Sequence, residues 1–284
     1  MPTDPTIHDL HVTLLGTGTS TGIPVIGCDC RVCTSTDPRD QRLRCACYVE
    51  ADGVGLVIDT GPDFRTQALR AGIEAVDAIL FTHHHFDHVV GLDDVRPYLF
   101  HNREAIPCYA QAKTEQVLRD MFRYIFRDGS YPGVPRLTLT AIAPEPFEVL
   151  SRDDAAQRVT VRPIPAMHGD LPIYGYRIGR FAYLTDTSAL PASSMALLEG
   201  VEVFVVDALR HRPHHSHFTI EQATVLAQRV GATQTYFIHM THDLLHAETD
   251  AALPEGINLG YDGLRFHLRD GILVAPESAT VSAR

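Results

Sequence analysis

The segment "HHHFDH", which begins at His83, concentrates groups that bind transition metals. Side chains alternate along an extended chain, so His83 and His85 should point to one side and His84 to the other. Asp87 and His88 follow where the chain must turn. Imidazole and carboxylate groups are common ligands of Zn²⁺ and Mn²⁺. The spacing therefore predicts two neighbouring pairs of ligands: His83 with His85, and Asp87 with His88.

Two metal ions need more ligands than this segment offers, and three later residues can supply them. Each comes directly after an apolar, strand-like run: His168 after "RVTVRPIPAM", Asp186 after "RFAYLT" and His239 after "TQTYFI". His168 can complete a three-histidine set with the first pair, and His239 can close a second site with the other pair. Asp186 has two carboxylate oxygens and can bridge both ions. These residues predict a dinuclear centre.

A separate segment, "GCDCRVC", places Cys28, Cys30 and Cys33 within six residues. A closed zinc site has four ligands, so a fourth must come from elsewhere in the chain. Alternatively, the cysteines pack as small buried apolar groups. The charged Asp29 and Arg31 between them favour a surface loop and hence a metal site. The remaining cysteines lie in strand-like stretches and are predicted to be buried: Cys45, Cys47 and Cys108.

Four histidines in "RHRPHHSHFTIEQA" come just before a predicted helix. Thr219 is the expected N-cap of this helix, Gln222 its capping-box partner and Gly231 its stop. A histidine at such a place can donate a proton to a leaving alkoxide or stabilise a charged transition state. The residues alone leave four candidates for this role: His211, His214, His215 and His217.

Strand-like and helical segments alternate along the chain, which predicts an α/β fold. The segment "KTEQVLRDMFRYIF" predicts one amphipathic helix, and "VGLVID" and "VEVFVVD" predict strands that reach Asp59 and Asp207. After the first strand, every predicted strand of this series leads to an Asp or a His. In α/β proteins, functional residues collect beyond the ends of the strands, so we expect these side chains to meet at one edge.

The composition is that of an ordinary globular protein, with 284 residues, 45% apolar and 21% charged. We find no linker or repeat and predict a single domain over 1–284. No apolar run approaches the length of a membrane span, and nothing marks the N-terminus for export, so we expect a cytoplasmic protein without a membrane partner. The net charge of −11 argues against a nucleic acid partner. A small-molecule substrate is expected, and a homodimer is left open.

The order of the motifs resembles that of the metallo-β-lactamase superfamily: "DTG", "THHHFDH", "MHGD", "LTDTS" and "IHMTH". The resemblance implies an αβ/βα sandwich, in which two mixed β-sheets are flanked by helices and a dinuclear metal site lies along one edge. Within the superfamily, the chain is similar to the phosphodiesterase branch that opens phosphoribosyl 1,2-cyclic phosphate in the carbon–phosphorus lyase pathway. This similarity extends from Leu10 to Leu268 and includes "GTGTSTGIPVIGCDCRVC", "IDTGPDFR", "GLDDVRP", "GYRI" and "GYDGL".

The resemblance also implies roles for individual residues. Members of this branch hold a structural zinc ion with C-x-C-x-x-C and a late histidine, which corresponds here to His242. A zinc-stapled loop near 28–33 is therefore expected. The resemblance selects His217 as the catalytic histidine, although an alignment slip of two residues would exchange it for His215. Asp87 is expected to serve in catalysis as well as in metal binding.

The expected reaction is hydrolysis of a small cyclic phosphodiester. Two divalent ions, Zn or Mn, would lower the pKa of a bridging water toward ~7, and the resulting hydroxide would attack phosphorus while His217 assists the departing sugar oxygen. Asp59 is expected to orient a metal-binding histidine, and Asp207 either to do the same or to cap a turn. Candidate anion clamps, or simple salt-bridge residues, are Arg65, Arg96 and Arg177.

Three other functions compete with this one. Ribonuclease Z, which processes the 3′ end of tRNA, has the same kind of dinuclear site but needs a tRNA-binding arm and a basic surface. The pyrroloquinoline quinone biosynthesis protein has a similar cysteine zinc motif, but its catalytic motif is often altered. The third is a non-enzymatic metal-binding or scaffold protein, against which the complete ligand set argues.

Overall fold

The computed structural model describes residues 7–100, 104–127 and 133–274. Both ends of the predicted domain, 1–6 and 275–284, lie outside the described residues, and the single-domain assignment stays a prediction. Within the described part, the strands form two β-sheets with helices on their outer faces. No helix in this part is long and apolar enough to cross a membrane.

The first sheet has eight strands in the order β15-β14-β1-β2-β3-β4-β5-β6. Neighbours pair antiparallel from β15 to β3 and parallel from β3 to β6, so the sheet is mixed. Its strands are β1 (Asp9–Gly16), β2 (Ala46–Ala51), β3 (Val54–Ile58), β4 (Ala78–Leu80), β5 (Ile106–Gln111), β6 (Leu137–Ile142), β14 (Arg265–Arg269) and β15 (Ile272–Val274).

The second sheet has seven strands in the order β13-β12-β11-β10-β9-β8-β7. It is also mixed, because β10 to β13 pair in parallel and β7 to β10 pair antiparallel. Its strands are β7 (Phe147–Leu150), β8 (Arg158–His168), β9 (Leu171–Ile178), β10 (Phe181–Leu184), β11 (Val203–Asp207), β12 (Gln234–Ile238) and β13 (Ile257–Leu259).

The helices lie on the outer faces of both sheets. The α-helices are α1 (Phe64–Ala71), α2 (Phe86–Val89), α3 (Ala112–Met121), α4 (Arg123–Phe126), α5 (Ala192–Leu197), α6 (Ile220–Val230) and α7 (His246–Asp250), and 3-10 helices span Pro38–Asp40 and Val90–Leu99. One apolar cluster packs α1 and α3 on the first sheet, and another packs α5 and α6 on the second. The largest cluster joins the inner faces of the two sheets. This arrangement confirms the αβ/βα sandwich.

Two helices that the sequence predicts can be compared with the helices in the structure. In α6, the side chains of Thr219 and Gln222 form the predicted capping box, and Gly231 ends the helix at φ 67°. The predicted helix over "KTEQVLRDMFRYIF" is instead divided into α3 and α4 at Phe122, where the backbone leaves the helical region at φ −107° and ψ 41°. Both Phe122 and Ile125 are buried against the first sheet, and the break lets both side chains reach that surface.

Candidate metal centres

Three residues at the site occupy a backbone conformation that residues other than glycine seldom adopt. Asp59, Asp186 and His239 follow β3, β10 and β12 and have φ values of 63°, 52° and 61°. Such a residue costs about 1–3 kcal/mol and persists only where the surrounding structure holds it. The turn directs each side chain back over the end of its strand, so the sheets themselves position the cluster.

The structure brings all seven predicted dinuclear ligands together in two adjoining groups. Asp186 lies between the groups. Its Oδ1 is 3.2 Å from His88 Nε2, and its Oδ2 is 3.2 Å from His239 Nε2. The same Oδ2 is 3.9 Å from His83 Nε2 and 3.9 Å from His168 Nε2. The groups are His83, His85, His168 and Asp186, and Asp87, His88 and His239.

Orphaned nitrogen atoms indicate what this cluster fits. The Nε2 atoms of His83, His88 and His239 are buried and have no hydrogen-bond partner within the described part of the chain. A buried polar atom without a partner is costly, so such atoms are rare in folded proteins. Imidazole nitrogens and carboxylate oxygens that converge in this way suit Zn²⁺ or Mn²⁺. The residues therefore fit the pair of divalent ions that the family implies.

The electrostatics of the cluster point the same way. Burial lowers the pKa of His83 well below its usual range and that of His239 to about 3, so both rings are neutral and offer lone pairs. Burial tends to raise the pKa of Asp186, but the surrounding imidazoles, above all His88, hold it well below its usual range. Burial also tends to lower the pKa of His88, but the carboxylates around it, Asp186 foremost, raise it well above the usual range. The carboxylates thus favour positive charge at this place.

Groups behind the cluster fix the orientation of its histidines. Asp59 accepts a hydrogen bond from His88 Nδ1 at 2.7 Å. The backbone N–H and the hydroxyl of Thr82 donate to the same carboxylate at 2.9 and 2.7 Å. On the other side, His168 Nδ1 donates to the carbonyl of Ser216 at 2.8 Å. Partners of this kind leave Nε2 as the atom that faces the centre of the cluster.

His217 lies beside the cluster and is buried, whereas His215 is exposed. The ring of His217 stacks on that of His239 at 4.6 Å and 14°, and its Nδ1 is 3.2 Å from Asp207 Oδ2. Burial raises the pKa of Asp207 to about 6, and the backbone N–H of Phe218 donates to this carboxylate. Burial tends to lower the pKa of His217, but Asp207 raises it above its usual value. Asp207 thus orients a histidine and also holds the turn after it.

The three candidate anion clamps differ in their surroundings. Arg177 is near the end of β9 that lies away from the cluster and donates to the carbonyls of Gly179 and Leu197, at 2.8 and 2.6 Å. Arg96 pairs with Asp93 at 2.9 Å on the surface. Arg65 is an exposed residue of α1. Arg177 and Arg96 therefore have structural partners, and a role of any of the three arginines in binding an anion stays a prediction.

The three predicted zinc cysteines converge on one imidazole nitrogen. Cys28, Cys30 and Cys33 place Sγ at 3.3, 3.5 and 3.5 Å from Nδ1 of His242. The backbone N–H of Cys33 donates to Sγ of Cys30 and lowers the pKa of that thiol to about 6, which favours the thiolate. All the cysteines are free, so no disulfide competes. Three thiolates and one imidazole make a closed set that suits zinc.

A buried arginine holds the loop that carries His239 and His242. Arg42 is fully buried, and its guanidinium donates to the carbonyls of Thr241 and Leu244 at 3.0 and 2.7 Å. The sequence analysis missed this residue, because its partners lie about 200 positions away and no local pattern marks it.

Asp262 is a second positioning residue that the sequence analysis missed. Its carboxylate accepts from the backbone N–H groups of Thr17 and Leu43 at 2.9 and 2.7 Å. The carbonyl of Thr17 then accepts from the N–H of Met240 at 3.0 Å, next to His239. The motif "GYDGL" was a signal that could have found Asp262.

With this geometry in view, the comparisons with known proteins decide the family. A family model described as a beta-lactamase superfamily domain matches residues 55–240, which is well over half of the chain. The chain belongs to the beta-lactamase superfamily. The matched region runs from β3 to the residue after His239 and includes every residue of the dinuclear cluster.

The proteins that are similar to this chain have names that denote different activities. A solved structure of a new diphosphatase from the PhnP family is 45% identical, with a TM-score of 0.84, over 92% of this chain and 97% of that one. The octanoyltransferase of Porphyromonas gingivalis is 44% identical over 90% of this chain, but the chain spans only about half, 51%, of that protein. Ribonuclease Z of Mycobacterium sp. (strain KMS) is 26% identical over 94% of this chain and 99% of its own length.

Proposed function

We propose that this metallo-β-lactamase-fold hydrolase is a metal-dependent phosphodiesterase that acts on a small cyclic phosphodiester, of the phosphoribosyl 1,2-cyclic phosphate kind. The observation that carries the proposal is the place of His217. It is held by Asp207 and stacked against His239, beside the point where Asp186 joins the two ligand groups. A proton donor next to a dinuclear centre is what cleavage of a phosphate ester with a poor leaving group requires.

Two catalytic ions, Zn or Mn, would be held by the two ligand groups. His83, His85 and His168 would bind one ion, Asp87, His88 and His239 the other, and Asp186 both. When bound, such ions neutralise phosphate oxygens and lower the pKa of water toward ~7. A third ion, a structural zinc, would be held by Cys28, Cys30, Cys33 and His242.

The chain's own residues have distinct tasks in this reaction. Asp207 accepts from Nδ1 of His217, which leaves Nε2 of that ring to carry a proton to the leaving oxygen. Asp207 raises the pKa of His217 above its usual value, against the effect of burial, which favours the protonated ring that a proton donor needs. Asp87 would serve through its bond to an ion. A covalent intermediate is not required.

The relatives support this proposal and suggest one rival. A relative at 45% identity is called a diphosphatase, so hydrolysis of a small diphosphate, in which the leaving group is a phosphate rather than a sugar oxygen, is our second candidate. Ribonuclease Z activity has weaker support, since a chain with a net charge of −11 repels tRNA. The complete ligand set favours an enzyme over a scaffold. The name octanoyltransferase describes the whole Porphyromonas protein, of which this chain covers about half, 51%. It therefore does not by itself indicate an activity for the part that is similar to this chain.

A substrate panel tests the proposal. The metal-reconstituted protein would be assayed with phosphoribosyl 1,2-cyclic phosphate, a 2′,3′-cyclic nucleotide, a small diphosphate ester, precursor tRNA and bis(p-nitrophenyl) phosphate. The highest kcat/KM is expected for a cyclic phosphodiester. A clear preference for the diphosphate would select the second candidate, and cleavage of only the tRNA would refute both. No turnover of any substrate by protein with its full metal content would indicate a binding protein.

A further inference from the structure

Two histidines face each other on the outer surface of the eight-stranded sheet, at the ends of the strands that lie away from the dinuclear cluster. His11 of β1 and His267 of β14 are register partners, and their rings stack at 4.1 Å and 11°. Asp9 precedes His11 by two residues and so lies on the same face of the strand. Its Oδ2 is 3.2 Å from His11 Nε2, and its Oδ1 is 2.5 Å from His267 Nε2. One carboxylate therefore joins both rings.

We propose that Asp9, His11 and His267 form an exterior binding site for a divalent transition metal, separate from the two clusters described above. One ligand atom from each residue lies within 4.8 Å of the other two. Zinc binds imidazole nitrogen and carboxylate oxygen at about 2.0–2.2 Å. Changes in the side-chain torsion angles would therefore let the three atoms share one ion. Both Nε2 atoms already lie beside the carboxylate, so the three donors are close together before any ion binds. The stacked rings would rotate so that both Nε2 lone pairs meet at one ion.

The backbone holds these donors more firmly than an exposed loop would. His11 and His267 stand on paired strands of a mixed sheet, and only 13% of the His267 side chain is exposed. On the other side of β1, Glu50 of β2 is the register partner of His11. Glu50, His11 and His267 line one groove of about 490 Å³. A further carboxylate thus stands in the same row, and sites built on strands keep their geometry better than sites on loops.

Two arginines lie near the site, and one of them donates a hydrogen bond away from it. Arg265 lines the same groove, but its guanidinium donates to the carbonyl of Ala71 at the end of α1 at 2.7 Å. Arg269 is the register partner of Asp9 and is exposed. These two arginines oppose an ion, while Asp9 and Glu50 favour it. With three protein donors in a solvent-exposed place, the site should bind more weakly than the buried clusters.

The donor set restricts the class of ion. Two imidazoles and one carboxylate suit Zn²⁺, Cu²⁺ or Ni²⁺, whereas Mg²⁺ and Ca²⁺ prefer oxygen ligands. An ion here would connect β1 to β14, whose residues Asp9 and His267 are 258 positions apart. Because it would bind only the folded chain, it would stabilise the pairing of the first strand with a late one by mass action.

The test uses the metal-replete protein, so that the two buried clusters are already filled. Wild type and His267→Gln would be dialysed against Zn²⁺ at roughly ten micromolar, and bound metal would be counted against protein. We expect wild type to take up about one equivalent more than His267→Gln, and Mg²⁺ to give no difference. The Cu²⁺-loaded wild type should show nitrogen couplings from two imidazoles by electron paramagnetic resonance.

His8→Gln is the matched control. His8 is an exposed histidine at the same corner, bonded to Asp270 at 2.8 Å, and is not part of the cluster. This variant should take up zinc like wild type. Equal uptake by wild type and His267→Gln would overturn the proposal, as would equal losses in the two variants. Before the dialysis against Zn²⁺, the phosphodiesterase rate and the melting temperature should be the same in all three proteins. If the rate or the melting temperature is lower in His267→Gln alone, the zinc uptake of His11→Gln is measured in its place and decides the test.

Discussion

The dinuclear cluster and the cysteine cluster are built in opposite ways. The ligands of the dinuclear cluster lie at or just beyond strand ends in both sheets, or in the short helix α2. Partners such as Asp59, Thr82 and Ser216 hold its oriented rings. The cysteine cluster stands on two loops and is partly exposed, and its three thiols converge on His242. The sheets can therefore preorganise the first cluster without an ion. We expect the second cluster to depend more on a bound ion for its order, because only loops carry its ligands.

The largest effect should come from Asp186, on which both ligand groups depend. Asp186→Ala removes the carboxylate that lies between His88 and His239, and leaves buried imidazoles without a counter-charge. We expect phosphodiesterase activity to fall to background and the metal content to fall from three ions per chain to about one. The remaining ion would belong to the cysteine cluster. Retention of all three ions in this variant would contradict the shared role of Asp186.

His217→Ala should separate proton transfer from metal binding. We expect full metal content and a rate reduced by roughly 10²–10⁴, the usual contribution of a general acid–base residue. The loss should be large for a ribose leaving group and small for p-nitrophenolate, which departs with little help from a proton. His215→Ala is the control and should resemble wild type. If His217→Ala loses a metal, or if His215→Ala is the impaired variant, the assignment fails.

Asp59→Asn tests whether the groups behind the dinuclear cluster matter. The amide keeps the size of the side chain but removes the charge that accepts from His88 Nδ1. A reduction of about 10–100-fold in metal affinity or activity is expected. Asp52→Asn is a matched control, because Asp52 also has a positive φ, of 46°, but lies away from the cluster. Equal metal affinity and activity in the two variants would show that the hydrogen bond from His88 to the Asp59 carboxylate does not matter.

Cys30→Ser should have the smallest effect on chemistry and a clear effect on stability. One ion should be lost and the melting temperature should fall, since metal binding is coupled to folding, by roughly 2–4 °C for each kcal/mol lost. Activity with saturating catalytic metal should fall less than in Asp59→Asn. Asp29→Ser, an exposed neighbour in the same loop, should keep the ion. Unchanged metal content and stability in Cys30→Ser would rule out the cysteine–histidine site.

Much of the dinuclear cluster could be predicted, because strand periodicity is local and most of the ligands lie at or just beyond strand ends, although Asp87 and His88 lie in α2. The residues that brace it could not. Arg42 and Asp262 act through carbonyl and N–H groups of distant loops, and no local pattern encodes such pairings. Likewise, the stack of His11 on His267 depends on the register of two strands from opposite ends of the sequence. The division of a predicted helix at Phe122 reflects tertiary packing that outweighs local propensity.

The positive φ values of Asp59, Asp186 and His239 have a consequence for protein engineering. Glycine or asparagine would adopt this backbone conformation with less strain at each of these positions, and two of the positions hold buried carboxylates. A library selected for heat resistance in the presence of a chelator should therefore accumulate such replacements at these positions. Sequencing the survivors would show it, and their loss of metal uptake would measure how much stability the natural sequence forgoes for its reaction.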